Sequence, residues 1–137
     1  MSITWVLVAN THSATLYENE GPNKGLRLLK QIDTEAVQSE PRRGLGAMDR
    51  RASHSPGEPQ RIRARGFATR LAGELRRART SRHYARAVLV APPAFMGMIN
   101  AELDAPTART VSRRVEKDYT RHSADELCTH LSGCLCA

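Results

Sequence analysis

Hydrophobic and polar positions at the start of the chain predict three consecutive strands. Ile3 to Ala9 is a short, nearly continuous apolar run rich in β-forming residues, the pattern of a strand buried on both faces. Ala14 to Glu18 alternates and predicts a second strand, joined to the first by the turn residues that begin at Asn10. Leu26 to Asp33 predicts a third strand, and its alternation places on one face Leu26, Leu28 and Ile32. Together these segments predict an antiparallel meander.

A long helical pattern follows, from about Gln60 to Thr80. Its apolar residues recur at the spacing of one helix face, which predicts an amphipathic helix: Ala64, Phe67, Ala68, Leu71, Ala72, Leu75 and Ala78. Arginines occupy another face at intervals of seven residues, with three more beside them: Arg63, Arg70 and Arg77, then Arg65, Arg76 and Arg79.

The second half of the chain alternates between strand and helix patterns. Ala87 to Ala91 predicts a buried strand that ends at Pro92-Pro93, and Ala94 to Leu103 predicts a helix, since proline is tolerated in a first helical turn. Gly97 inside that helix costs about 1 kcal/mol relative to alanine, which a close approach by another backbone would justify. Asp104-Ala105-Pro106 is expected to break the chain.

The last two elements differ in how clearly they are specified. Val111 to Lys117 fits a helix, with valines at i and i+4, or an edge strand with Arg113 between them; we take it as a strand. Ser123 to Glu126 matches a capping box and predicts a final helix. The resulting order, β-β-β-α-β-α-β-α, is that of a ribonuclease H-like α/β fold. We therefore expect one domain over residues 1–131 with a mixed five-stranded sheet, and a tail at 132–137.

Charge adds an anionic partner to this picture. The 137-residue chain carries a formal charge of +7, which suits nucleic acid or an anionic membrane surface. The stretch from Glu40 to Arg86 holds 13 of the 21 Lys+Arg residues, and all 13 are arginine. Pro41 to Pro59 is rich in Gly, Pro, Ser and Arg, which predicts a mobile basic loop (about residues 40–60) between the third strand and the long helix. Arginine favours phosphate because its planar guanidinium binds in a bidentate manner, although a solvated helix face is the alternative.

The sequence also bears on location. No apolar run approaches the roughly 20 residues that span a bilayer, and the N-terminus lacks the basic region and cleavage site of a secretory signal. The three cysteines form no disulfide framework, because all lie in the last ten residues: Cys128, Cys134 and Cys136. The expected location is the cytoplasm.

Catalytic groups are not evident in the pattern. A metal-dependent nuclease of this fold needs converging carboxylates, but the first strand ends at Asn10 and the fourth at Ala91-Pro92. Gly44-Leu45-Gly46 is too short for a nucleotide-binding fingerprint. A Ser/His/Asp triad is disfavoured for Asp118, His122 and Ser123. A zinc site is disfavoured for the C-terminal set, Cys128, His130, Cys134 and Cys136. We expect no cofactor, no metal and no small-molecule substrate.

Several segments together resemble the bacterial host-attachment protein family, from about Ile3 to Leu131. They are Thr4–Asn10, Phe67-Ala68 with Leu71-Ala72 and Leu75, Val88–Met98, Glu116–Thr120 and Ser123–Leu127. The most specific is Ala-Pro-Pro-x-Phe-x-Gly, which begins at Ala91. The resemblance implies a relationship by fold to the middle domain of archaeal and eukaryotic peptide release factors. In those factors the equivalent loop carries Gly-Gly-Gln, which this chain lacks, so peptidyl-tRNA hydrolysis is not carried over.

Our leading hypothesis is therefore a release-factor-like protein, more consistent with a binding factor than an enzyme, that binds ribosomal or transfer RNA. The predicted RNA-binding residues are Arg42, Arg43, Arg50, Arg51, Arg61, Arg63, Arg70 and Arg77. One alternative is a protein–protein interaction module needed for attachment to host cells. Another is a hydrolase of RNA-linked esters with unrecognised catalytic residues. The sequence leaves open whether the chain is a monomer or a homodimer.

Overall fold

The computed structural model describes residues 3–21, 25–33 and 57–131, with only the backbone described for 57–60. Its strands are β1 (Thr4–Ala9), β2 (Ser13–Asn19), β3 (Arg27–Asp33), β4 (Arg86–Val90) and β5 (Val111–Val115). Its helices are α1 (Gly57–Thr80), α2 (Pro93–Glu102), α3 (Ala105–Thr110) and α4 (Ala124–His130). Most of the predicted basic loop, residues 40–56, lies outside the described residues.

The five strands form an open, mixed sheet in the order β3-β2-β1-β4-β5. β1 pairs antiparallel with β2, and β2 antiparallel with β3, which confirms the predicted meander. β4 pairs parallel with β1, and β5 parallel with β4. The segment that fitted either helix or strand is therefore an edge strand, Val111–Val115. The predicted α/β class and mixed five-stranded sheet are confirmed.

The two faces of the sheet bury separate clusters of side chains. On one face, α1 and α2 pack Phe67, Leu71, Phe95 and Ile99 against alternate residues of β1 and β4, including Leu7 and Leu89. On the other face, α4 packs Leu127 and Leu131 against Val6, Val8, Val88 and Val90. The central strands thus bury both faces, which is why their sequences are nearly continuous apolar runs. The amphipathic face predicted for α1 is the face that contacts the sheet.

β3 departs from the predicted alternation because its pairing with β2 contains a bulge. Lys30 pairs with Leu16, but the next β2 residue, Tyr17, pairs with Leu28. The extra residue reverses the side chains on either side of it. Ile32 consequently packs under α1, whereas Leu26 packs in the opposite cluster and Leu28 is 53% exposed. The prediction that Leu26, Leu28 and Ile32 share one face was wrong.

α3 was not predicted, since Asp104-Ala105-Pro106 was expected to interrupt the chain. The same residues instead begin a helix. The carboxylate of Asp104 accepts a hydrogen bond of 3.2 Å from the backbone N–H of Thr107, as an N-cap does, and the proline sits in the first turn. A proline after an aspartate is a helix start as readily as a break, because neither residue needs a helical hydrogen-bond donor there.

Gly97 is not explained by a close backbone approach. It is exposed in the middle of α2, and a Cβ built on it would meet no neighbouring atom within 4 Å in the described structure. No close backbone approach therefore requires a glycine at this position.

The end of α1 is closed by backbone hydrogen bonds that use a left-handed arginine. Arg82 has φ +59°, and the N–H groups of Arg82 and His83 donate to the carbonyls of Arg79 and Ala78 at 3.0 and 2.9 Å. This is the Schellman arrangement, which normally has glycine at the left-handed position.

Candidate nucleic-acid interface

The predicted arginines of α1 lie on the outside of the molecule. Arg61, Arg63, Arg70 and Arg77 are all exposed. Their exposure follows from the packing of α1, whose apolar face is directed to the sheet and leaves the remaining sides to solvent. The four predicted loop residues lie outside the described residues: Arg42, Arg43, Arg50 and Arg51.

A single carboxylate organises the central part of this arginine stripe, by which we mean Arg63, Arg70 and Arg77. Glu74 lies 3.1 Å from Nη2 of Arg77 and 4.0 Å from Nε of Arg70. Across the gap to the sheet, Nζ of Lys30 on β3 lies 3.1 Å from the other oxygen of Glu74. Three cations thus surround one acid, which leaves a formal excess of two positive charges (three minus one).

The cations of this cluster remain available to an additional anion. Glu74 has a side-chain exposure of only 16%, whereas Lys30, Arg70 and Arg77 are 47%, 43% and 63% exposed. The carboxylate is therefore held beneath the cationic groups that surround it. An incoming phosphate would meet the guanidinium and ammonium groups before it met Glu74.

Other arginines of α1 project from different sides of the helix. Nε of Arg79 donates to the hydroxyl of Thr107 at 3.0 Å, and Nη2 lies 3.9 Å from the carboxylate of Asp104. Arg79 therefore joins α1 to α3. Arg61 precedes Arg63 by two residues, about 200° of helix rotation, so the structure does not bring it into the stripe with Arg63.

Sequence reasoning missed two members of the cluster, Lys30 and Glu74. The spacing of Arg70, Glu74 and Arg77, at i, i+4 and i+7, was visible as a local ion-pair pattern. Lys30 could not be found that way, because it reaches Glu74 only when β3 lies alongside α1 and its bulge sets which side chains are directed to the helix.

A second polar cluster lies at the carboxyl end of β1. The side-chain NH₂ of Asn10 donates to Oγ1 of Thr120 at 3.0 Å and to Asp118 at 3.3 Å. Its carbonyl oxygen accepts from the backbone N–H groups of His12 and Ser13 at 2.8 and 3.0 Å. Partial burial opposes ionisation of Asp118, yet hydrogen bonds from Thr120 and Asn10 outweigh it and lower the pKa of that carboxyl. These bonds fasten the segment after β5 to the end of β1.

The residues considered as a triad make separate contacts. Oγ of Ser123 accepts from the backbone N–H of Glu126 at 3.2 Å, and the Glu126 carboxylate accepts from the Ser123 N–H at 2.8 Å, the predicted capping box. Nδ1 of His122 lies 3.5 Å from Glu126. Asp118 is bonded to Thr120 and Asn10. Ser123 therefore has a helix-capping role here.

Metal ligation was weighed for the C-terminal segment. Within the part of the chain that the structure describes, no group of three or more His, Cys, Asp or Glu side chains is placed to hold a metal ion. Cys128 is half-buried on α4 with a free thiol, while Cys134 and Cys136 lie outside the described residues. Among the described helices, none has the length and hydropathy needed to cross a membrane.

The sequence matches a protein-family model over most of its length. Residues 5–131 match the model of a family described as "Protein required for attachment to host cells". The chain belongs to this family. The match runs from β1 to the end of α4, so it includes β3, the whole of α1 and the cluster around Glu74. A comparison with curated proteins found no match.

The family membership confirms the resemblance to host-attachment proteins drawn from the sequence segments. Its description names a requirement for attachment and names no ligand.

Proposed function

We propose that this host-attachment family protein is a non-enzymatic factor that binds RNA phosphates, acting in the cytoplasm on ribosomal or transfer RNA. The observation that carries the proposal is the cationic cluster in which Lys30, Arg70 and Arg77 surround the recessed carboxylate of Glu74. Arg63, one heptad before Arg70, extends the same surface along α1.

The composition of this surface supports phosphate as its ligand. Arginine forms bidentate contacts with phosphate oxygens and is weakly hydrated, so it loses less on binding than lysine does. An isolated surface ion pair contributes only about 0–1 kcal/mol. The excess of three cations over one acid therefore supports binding of a polyanion more than a role in stability.

The topology supports the relationship implied by the sequence segments. A three-strand meander followed by parallel β4 and β5, in the order β3-β2-β1-β4-β5, is consistent with a ribonuclease H-like fold related to the middle domain of release factors. In such a relationship the segment between β3 and α1, residues 34–56, would occupy the position of the release-factor loop. Its arginines would add to the surface on α1, which begins where that segment ends.

Co-sedimentation with ribosomes on a sucrose gradient tests the proposal at low and moderate salt. The test variant is Arg63→Gln/Arg70→Gln/Arg77→Gln. The matched control, Arg109→Gln/Arg113→Gln/Arg121→Gln, removes three exposed arginines elsewhere and gives the same net charge. Salt-sensitive co-migration that the test variant loses and the control keeps is the expected result. Wild-type protein that stays at the top of both gradients would remove the ribosome as its partner.

The family description favours a second candidate, an interaction module that contacts other proteins during attachment. An RNA-binding factor would affect attachment indirectly, through synthesis of the proteins that carry it out. Protease treatment of intact cells separates the two candidates. Loss of the protein on such treatment would favour direct attachment, and its protection would favour the RNA-binding role.

A further inference from the structure

We infer that the arginine stripe of α1 binds double-helical RNA through its phosphates, without reading bases, rather than single-stranded RNA. This inference rests on the proposed function and specifies the class of RNA. It is carried by the length of the stripe together with the positions of the Trp, Tyr and Phe side chains, none of which lies on the surface of the stripe.

The length of the stripe requires a polymer. Successive arginines seven residues apart in an α-helix are separated by about 10.5 Å, so Arg63 and Arg77 lie about 21 Å apart along α1. A mononucleotide cannot contact all three arginines at once. A double-stranded nucleic acid carries about one charge per 1.7 Å of axis, or roughly a dozen phosphates over this length. The rigid helix therefore suits a ligand whose phosphates are themselves held in a regular array.

Single-stranded RNA is bound differently, by stacking its bases on aromatic side chains or on Arg guanidinium planes. This chain has six Trp, Tyr and Phe residues, all of them among the described residues. Five are buried, with 9% exposure or less: Trp5, Tyr17, Phe67, Tyr84 and Phe95. The sixth, Tyr119, is half-buried against His122 and His130, on the face of the sheet opposite to α1. The arginine stripe consequently has no Trp, Tyr or Phe ring on which a base could stack.

An anionic membrane is a different polyanion that the stripe must be weighed against. Helices that bind at membrane surfaces insert an apolar face between lipids. The apolar face of α1 is buried under the sheet, with Phe67, Ala68 and Leu71 at 1% exposure or less. Ile62 is the one large hydrophobic side chain exposed on the described part of α1. The exposed surface of α1 could attract an anionic membrane by its charge, but it has almost no apolar area to insert between lipids. This composition favours nucleic acid as the ligand.

Fluorescence anisotropy with three probes tests the inference. The probes are a labelled RNA duplex of about 16 base pairs, each of its two strands alone, and phosphatidylserine-containing vesicles in a parallel sedimentation assay. We count four phosphate contacts, one each from Lys30, Arg63, Arg70 and Arg77. Counterion release at four contacts favours a duplex over a single strand by roughly sixfold near 0.1 M salt. We therefore expect full-length protein to bind the duplex at least several-fold more tightly than either strand. The Arg63→Gln/Arg70→Gln/Arg77→Gln variant should lose this preference, whereas the Arg109→Gln/Arg113→Gln/Arg121→Gln control should keep it.

The outcomes separate this inference from the proposal beneath it. Strands that bind as tightly as the duplex would overturn the duplex inference and leave RNA binding in place. Failure of every RNA probe to bind would overturn both. Binding to vesicles that equals binding to the duplex, and depends on the same three arginines, would overturn the choice of nucleic acid.

Discussion

Nζ of Lys30 on the edge strand β3 lies 3.1 Å from the carboxylate of Glu74 in the middle of α1. This contact joins the meander to the long helix and places the single acid of the cluster below Arg70 and Arg77. Glu74 both orders the cations and opposes any phosphate that they bind.

Replacement of that acid should strengthen RNA binding. For Glu74→Gln we expect roughly two- to fivefold tighter binding at low salt, equivalent to about 0.5–1 kcal/mol, because a negative charge is removed from the phosphate-binding surface. The advantage should shrink as salt screens the charges. Anisotropy titrations at several salt concentrations measure it, and Glu116→Gln, an exposed acid outside α1, controls for net charge. Weaker binding by Glu74→Gln would show that ordering the cations outweighs the repulsion.

Gly97 should be replaceable with a gain in stability. It is exposed in the interior of α2 with open space around its Cα, so Gly97→Ala is expected to raise the free energy of unfolding by about 0.5–1 kcal/mol. Gly25→Ala is the contrasting variant: φ there is +72°, and alanine should be destabilising although the space is also open. Chemical denaturation measures both. An unstable Gly97→Ala would mean that the glycine is needed for a contact beyond the described residues.

The sequence predicts some features of this fold and not others. Elements whose identity depends on local pattern were predicted: the apolar run of β1, the amphipathic α1 and the capping box of α4 were each confirmed. Features that depend on pairing between distant segments were not. The bulge opposite Leu16 and Tyr17 changes which face of the sheet the side chains of β3 occupy on either side of it, and no local sequence pattern predicts this bulge.

The candidate site likewise has features that the local sequence predicts and features that it does not. Exposure of Arg63, Arg70 and Arg77 follows from helix periodicity, since the sheet must bury the opposite face. Their clustering with Lys30 depends on how β3 lies against α1. It is therefore a feature of the tertiary structure that local sequence does not predict. The separation of Arg61 from the stripe, by contrast, follows from helix geometry alone and could have been anticipated.

Loss of the capping box should loosen the helix that covers the valine face of the sheet. Ser123→Ala removes the hydroxyl that accepts from Glu126 N–H, and we expect it to lower the free energy of unfolding by about 1 kcal/mol. Ser81→Ala, an exposed serine just beyond α1, should change it by less than about 0.5 kcal/mol. Amide hydrogen exchange should show faster exchange in α4 of Ser123→Ala. Unchanged exchange there would contradict the role assigned to the cap.

The partner of that serine gives the protein an acid-sensitive contact. The backbone N–H of Ser123 donates to the carboxylate of Glu126 and, with His122, lowers the pKa of that carboxyl. A lowered folded-state pKa stabilises the protein above the ordinary glutamate pKa of about 4.3. The stabilisation is lost as the pH falls through the lowered value. In Glu126→Gln, the side-chain amide oxygen still accepts a hydrogen bond but does not titrate. Its stability should therefore fall less steeply than that of the wild type between about pH 5 and 3. Denaturation curves that keep the wild-type slope would contradict this assignment.

The claim that the arginine stripe binds RNA phosphate is tested most directly by the salt dependence of transfer RNA binding. Each phosphate contact contributes about −0.9 to the slope of log K against log salt for a duplex. We predict that Arg63→Gln/Arg70→Gln/Arg77→Gln makes the slope shallower by about 2 to 3, while Arg109→Gln/Arg113→Gln/Arg121→Gln leaves it close to wild type. Equal slopes for wild type and the stripe variant would contradict the account, because they would mean that no phosphate is bound by these three arginines.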